Sequence, residues 1–438
     1  MAKLGVLRPF PSPRLVPLEA ALAFVMAGCM GASGSSTSDT GGSKRTPTSS
    51  SPTSSIVPSR QPGGAGVQPG TLTAGAWDDN LNFDFFRRYL DEMAAVDGQD
   101  PAWPFVARAD RMDVVVTNEL GAPLGDAAVV ISGPSGTVLL ARTRSDGHVF
   151  VLPSWYGLAA GTPLVVSATL GPLGGEATAL AGDPRAAVTI VGAAAALPAT
   201  LEIALVIDTT GSMGDEMSYL KVELEHLASE VRDRYPGVNQ RFALIAYRDV
   251  GDAYVVRSYD FTPGDATFRV QLQAQSATGG GDYPESPDLA LAALQQLSWS
   301  PVSAARVVFW VADAPHHADR TQVMLTDFKQ ASERGLHIYP VASSGVDELT
   351  ELTMRTGAQL TGGRYLFLTD DSGIGDSHKI PTIPCYVVTT LEKAMLRMIF
   401  MEISGVHVEP APTDVVRTAG SPADGRCIED DGQQTSWI

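Results

Sequence analysis

Leu201-Glu202-Ile203-Ala204-Leu205-Val206-Ile207-Asp208-Thr209-Thr210-Gly211-Ser212-Met213 is the stretch that decides the fold of this chain. The part before Asp208 is almost wholly apolar, the pattern of a strand buried on both faces of a parallel sheet. From Met217 the apolar residues change to helical spacing, at Met217, Leu220, Leu224 and Leu227. The turn between strand and helix therefore falls at the carboxyl end of a strand, where open α/β sheets bind their ligands. Asp208 brings a full negative charge to this turn, and Thr210 and Ser212 bring neutral oxygens at alternate positions. That mixture suits a hard divalent cation such as Mg²⁺.

Asp-x-Thr-x-Ser in this setting resembles the metal-ion-dependent adhesion site of von Willebrand factor A domains. The surrounding chain agrees. Apolar strand patterns at 241–247, 255–261, 306–312, 336–342 and 364–368 alternate with helical patterns at 217–234, 290–297, 326–334, 346–356 and 391–401. Such alternation predicts a mainly parallel sheet with helices on both faces, an α/β, Rossmann-like A domain over residues 197–404.

The resemblance implies a metal site built from three loops. Asp208, Thr210 and Ser212 supply the first. The second is Ser276-Ala277-Thr278-Gly279-Gly280-Gly281-Asp282-Tyr283-Pro284-Glu285. Its Gly-Gly-Gly-Asp-x-Pro-Glu resembles the hemicentin-like branch of the family, which assigns Asp282 as ligand and leaves Thr278 as the alternative. Asp313, in Asp313-Ala314-Pro315-His316-His317, matches the distal Asp of the third loop. Mg²⁺, or Mn²⁺ or Ca²⁺, is the implied ion. Two carboxylates about 5 Å apart repel by about 3 kcal/mol at an effective dielectric near 20, so the metal form is expected to be the more stable. A third charged ligand also makes the ion a weaker acceptor for a partner's acidic side chain.

Each residue has a plainer reading. Asp208 and Asp313 are also helix-capping types. The glycines lack the Lys and Ser/Thr of a phosphate-binding loop. Their joint order after apolar strands favours the metal. His316 and His317 lack ligands at zinc spacing, and adjacent loop histidines point apart. Arg248-Asp249 lies on the same rim of the sheet, with a turn as its default role. The acidic run 369–375 lacks the terminal Glu of an EF-hand loop.

Residues 109–196 read as short β-strands separated by Gly, Pro and Asp turns, a β-sandwich that resembles transthyretin-like regulatory domains. Before it, residues 71–108 combine aromatic and acidic groups (Trp77 to Phe86) with a short helix, and read as a capping segment docking on its neighbour. Residues 405–438 form a polar, acidic tail.

Residues 1–29 have a basic start, a short apolar run and Gly28-Cys29, resembling a bacterial lipoprotein signal with Cys29 as the lipidated residue. An ordinary secretory signal is the alternative. Residues 30–70, rich in Ser, Thr, Gly and Pro, read as a disordered tether. Export leaves Cys385 and Cys427 as a candidate disulfide. A net charge of −18 argues against nucleic acid and anionic membrane surfaces as partners. Membrane attachment is expected only through the lipid.

Asp-Thr-Thr-Gly breaks the Asp-Thr-Gly of aspartic proteases, and no second copy pairs with it. No Gly-x-Ser-x-Gly elbow or His-Glu-x-x-His helix occurs. The expectation is therefore a non-enzymatic, exported protein that binds a protein ligand through its metal site. A structural protein stiffened by metal is the first alternative, and a metal-assisted hydrolase the second.

Overall fold

The computed structural model describes residues 68–97, 100–134, 136, 138–281, 283–423, 426–429 and 432–436. The signal, Cys29, most of the tether and Asp282 lie outside the described residues. The described residues fall within one compact unit, Gly64–Ile438.

The chain enters through β1 (Thr73–Trp77) and α1 (Phe83–Asp97). It then builds β2 (Met112–Thr117), β3 (Ala128–Ser132), β4 (Val138–Arg142), β5 (His148–Val151), β6 (Pro163–Leu170), β7 (Leu173–Leu180) and β8 (Arg185–Thr189). These seven strands form two sheets, β5-β2-β8 and β4-β3-β6-β7. Alternate residues such as Val114, Val116, Val129, Ile131, Val166 and Val188 meet in one core between them. This is the period-2 logic of sheets with one face buried.

Next come β9 (Thr200–Asp208), α2 (Met217–Arg234), β10 (Asn239–Tyr247), β11 (Val256–Pro263), α3 (Ala266–Gln273) and α4 (Pro287–Leu294). They are followed by β12 (Ala304–Ala312), α5 (Thr321–Glu333), β13 (His337–Ala342), α6 (Glu348–Thr361) and β14 (Tyr365–Leu368). The chain then adds β15 (Tyr386–Thr390), α7 (Leu391–Ser404) and β16 (Arg417–Ala419). Among the described residues the large sheet runs β11-β10-β9-β12-β13-β14-β1-β15-β16. The β10-β9-β12-β13-β14 block is parallel. All nine residues of β12 are buried. Leu205 and Ile207 of β9 pack with α2 and α7, while Ala204 and Val206 pack with α4 and α5. Each fully buried Leu or Ile contributes about 1.5–3 kcal/mol. The architecture is α/β with an A-domain sheet, as the alternation predicted.

Three segments depart from expectation. Residues 71–108 are more than a cap, because β1 lies inside the large sheet, antiparallel to both β14 and β15. Thr73-Ala74-Gly75-Ala76-Trp77 has almost no β-branched residues, so no strand signal was visible. Small residues fit here because a Cβ at Gly75 would lie 2.3 Å from Phe367 Cζ. The two sheets of β2–β8 are thus inserted between the first strand of the large sheet and the rest. The acidic residues after β1 are held by arginines: Asp79 bonds Arg355 at 2.7 and 3.0 Å, and Asp78 pairs with Arg364 at 2.8 Å. Lastly, the tail adds β16 to the sheet edge against β15. A disulfide joins Cys385 to Cys427, the candidate pair of the sequence, with Cα atoms 5.9 Å apart.

The inserted sheets dock at the end of the large sheet where β9 and β12 begin. Asp126 there accepts from the Ala304 amide at 3.2 Å and pairs with Arg306 at 2.8 Å and Arg142 at 2.9 Å. Arg144 donates to the Gly362 carbonyl at 2.9 Å. The strand ends that carry Asp208 and Asp313 lie at the opposite edge, clear of this contact.

Candidate metal centre

Parallel pairing in register ends β9 at Asp208 beside Tyr247 of β10. β12 ends one residue before Asp313. Both carboxylates are thereby delivered to one edge of the sheet by strands that cannot slip without exposing their apolar residues. Asp208 Oδ1 accepts from the Thr210 amide at 2.8 Å and the Thr210 hydroxyl at 2.7 Å. The Thr210 and Ser212 hydroxyls are 3.3 Å apart. Neither carboxylate caps a helix: α2 has Glu216 at its cap position, and the short turn after Asp313 has His317.

The second loop is laced to the first by Gly211 N to Gly279 O at 2.9 Å and Thr278 N to Thr209 O at 3.1 Å. It is laced to the third by Glu285 N to Pro315 O at 2.9 Å. Gly280 has φ +64°, and a Cβ there would sit 3.1 Å from Thr210 Cβ and 3.3 Å from Glu285 Oε1, so glycine lets the loop close over the first. The Thr278 hydroxyl accepts from Arg248 at 2.7 Å. That bond turns the alternative second-loop ligand toward the guanidinium. Asp282, the other candidate, lies outside the described residues.

Glu285 is the site residue that sequence reasoning passed over, although it closes the quoted Gly-Gly-Gly-Asp-x-Pro-Glu run. It is buried, as are Asp208 and Asp313. Each of the three has one buried oxygen without a hydrogen-bond partner: Asp208 Oδ2, Asp313 Oδ1 and Glu285 Oε2. Burial pushes the Asp208 carboxyl up to about 6. Burial and then the Asp208 charge push Asp313 up to about 7, against a Ser212 hydrogen bond that pulls it down. Burial, reinforced by the charges of Asp208, Asp249, Asp252 and Asp313, pushes Glu285 up to about 9. The Asp208 charge thus acts on Asp313, and the charges of both act on Glu285. Ser212 and Gly279–Gly281 are exposed, so the site opens to solvent through its hydroxyl and glycine side.

A divalent cation fits such a donor set. Buried polar oxygens normally have partners, and buried like charges are relieved by protonation or by an added cation. Hydroxyl and carboxylate oxygens are the ligands Mg²⁺ prefers. Among the described residues no three His, Cys, Asp or Glu side chains are grouped so that they alone could hold a metal ion. The hydroxyls of Thr210 and Ser212 are therefore integral to the proposed set.

The neighbouring charged groups are engaged elsewhere. His316 is buried on Thr321 at 2.9 Å, and burial pushes it down to about 4. His317 turns away to Asp249 at 2.7 Å, so the two histidines do point apart. Asp370 of the acidic run accepts from His378, whose other ring nitrogen meets Glu216 at 2.8 Å.

The sequence model of the von Willebrand factor A domain matches residues 202–359, which includes all three loops. The chain is 37% identical over 94 residues to von Willebrand factor A domain-containing protein 7 of Homo sapiens, covering 21% of this chain and 10% of that protein. It is 31% identical over 119 residues to a protein of Acanthamoeba polyphaga mimivirus described as ariadne-like RING finger protein R811, covering 27% of this chain and 11% of that protein. The chain thus spans about a tenth of the length of these relatives. Two solved structures are also similar, each at 13% identity. BatB from Bacteroides thetaiotaomicron has a TM-score of 0.33 and covers 46% of this chain and 98% of its own. An aerotolerance-related membrane protein from Bacteroides fragilis has a TM-score of 0.31 and covers 47% and 99%.

Proposed function

We propose that this protein binds a protein partner through a divalent cation, Mg²⁺ first, held by Asp208, Thr210, Ser212, Asp282 and Asp313 with Glu285 beside them. The observation that carries the reading is the set of three buried carboxylates with unpartnered oxygens opening onto exposed Ser212. When bound, the cation supplies a coordination position for an oxygen of the partner. The chain's own residues fix its seat: Thr210 orients Asp208, and the glycine loop leaves the outer side uncovered. The partner's oxygen comes from an acidic side chain in this proposal, weakened by the carboxylates already present. In this proposal the protein acts as a binding protein and not as an enzyme, with the Thr210 hydroxyl held by Asp208 as part of the cation's seat.

The rest of the proposal concerns setting. The chain is exported and anchored through Cys29 to a bacterial membrane, facing the periplasm or the cell surface, with residues 30–70 as tether. Among the described residues no helix is long and apolar enough to cross a membrane. The transthyretin-like insertion braces the far end of the A-domain sheet and leaves the loop edge free.

The second reading, in which the ion only stabilises the fold, is favoured by Glu285, because a further charge raises the cost of the metal-free state. Thermal stability with EDTA, Mg²⁺ or Mn²⁺ beside Asp208→Ala tests the site. Metal at 100 times its Kd adds about 2.7 kcal/mol to the wild type and nothing to the variant. Equal melting in all conditions refutes the metal site. Metal-dependent capture of a partner, abolished by Asp208→Ala, then separates adhesion from mere stabilisation.

A further inference from the structure

Arg397 on α7 is the most anomalous charge outside the loop edge. It is only 6% exposed, and its Nε and both terminal nitrogens have no hydrogen-bond partner. Guanidinium groups at buried positions are ordinarily paired, because an unpaired ion in a low-dielectric seat is strongly unfavourable. The one carboxylate that acts on it is Asp414, without a hydrogen bond, while Arg364 repels it and is itself held by Asp78 at 2.8 Å.

Arg397 lines a cleft of about 440 Å³ between the last turn of α2, the middle of α7 and residues 408–414. The cleft has an apolar wall of Leu396, Phe400 and Val408. Arg234 stacks on the Phe400 ring at 4.4 Å and stiffens that wall. The charged lining is Arg234, Lys393 and Arg397 against Glu230, Asp233, Glu409 and Asp414, three positive and four negative. The four acids disfavour a multiply charged anion. α2 starts just after the metal loop and runs 18 residues to this cleft, about 27 Å at 1.5 Å per residue.

We propose that this cleft is a binding site for a small monocarboxylate with an apolar body, its carboxylate on Arg397 and its body along Phe400, Leu396 and Val408. Arginine presents a planar fork that matches a carboxylate in bidentate fashion. The proposal requires a rotamer change of its long stem, which brings the head from its buried seat to the anion. The site is separate from the metal loops and does not depend on them.

The test uses the full chain, with calorimetric titration of 3-phenylpropionate and hexanoate against 3-phenylpropionamide and inorganic phosphate. The carboxylates are expected to bind, the amide at least tenfold more weakly, and phosphate not at all. Arg397→Met is expected to abolish carboxylate binding, to raise the melting temperature of the ligand-free protein by a few degrees, and to leave the Mg²⁺ response intact. Should the variant fail to fold, the carboxylate–amide difference in the wild type decides. No carboxylate binding, equal binding of amide and acid, or tighter binding of phosphate each overturns the proposal. Loss of the Mg²⁺ response in Asp208→Ala with carboxylate binding retained tells the two sites apart.

Discussion

The two ends of the large sheet handle buried acid in opposite ways. At the end where β9 and β12 begin, Glu202 is fully buried, pairs with Arg241, lies 4.0 Å from Arg306 and accepts from the Ser300 amide at 3.0 Å. Asp126 sits between Arg306 and Arg142, and Glu402 bonds His337 at 2.8 Å. At the end where those strands finish, Asp208, Asp313 and Glu285 are as deeply buried and each keeps an unpartnered oxygen. One edge is neutralised from within the chain and serves as a foundation for the inserted sheets. The other keeps unpartnered carboxylate oxygens, and for that reason a cation is proposed there.

The contrast is sharpest under isosteric neutralisation. Asp126→Asn keeps the shape, and Asn tolerates the residue's φ of +56°. It removes the charge that Arg306 and Arg142 share. Arg306 is left with the Ser300 carbonyl and the more distant Glu202, and Arg142 with the Asp126 and Pro301 carbonyls. A loss of about 3 kcal/mol in urea unfolding is therefore expected. A neutral result would break the comparison. Asp313→Asn should do the reverse in EDTA at pH 8, raising stability by about 1–3 kcal/mol through removal of an unpaired ion, while erasing the gain from Mg²⁺.

The pH dependence follows in sign. Asp208, Asp313 and Glu285 have folded-state values of about 6, 7 and 9, above the ordinary carboxylate range. Between about pH 4 and pH 9 the folded protein therefore binds more protons than the unfolded chain. Their contribution is full at the acid end and is lost as pH rises through those values. Metal-free melting temperatures should fall across this window, and saturating Mg²⁺ should flatten the slope. Parallel slopes with and without Mg²⁺ would place the carboxylates outside any metal site. The smallest effect is expected of Thr278→Ala. Its hydroxyl is held by Arg248, so the Mg²⁺ response should change by less than about 0.5 kcal/mol. A larger loss would restore Thr278 as a ligand.

Much of the loop edge was legible in the chain. Asp208, Thr210, Ser212 and Asp313 follow nearly continuous apolar runs, and such runs announce doubly buried strands whose ends must meet at one edge. Glu285 stood in a quoted motif yet carried no mark, because its role depends on a loop folding back onto Thr210 and Pro315. β1 escaped because Ala-Gly-Ala has no strand propensity of its own, and its place is set by close contact with Phe367. β16 depends likewise on a distant partner strand, whereas the Cys385–Cys427 pair was legible as a candidate and the structure closes it.

By itself, then, the sequence determined the parallel β/α core, the separate run of short strands before it and the residues delivered to the strand ends. These follow from local periodicity, and local periodicity is written residue by residue. Only the tertiary structure decided that the short-strand region is an insertion behind β1, that Asp78 and Asp79 serve arginines, and that Arg397 is buried without a partner. Those outcomes turn on which distant groups meet in a low-dielectric interior, where pairing decides whether a charge is tolerated.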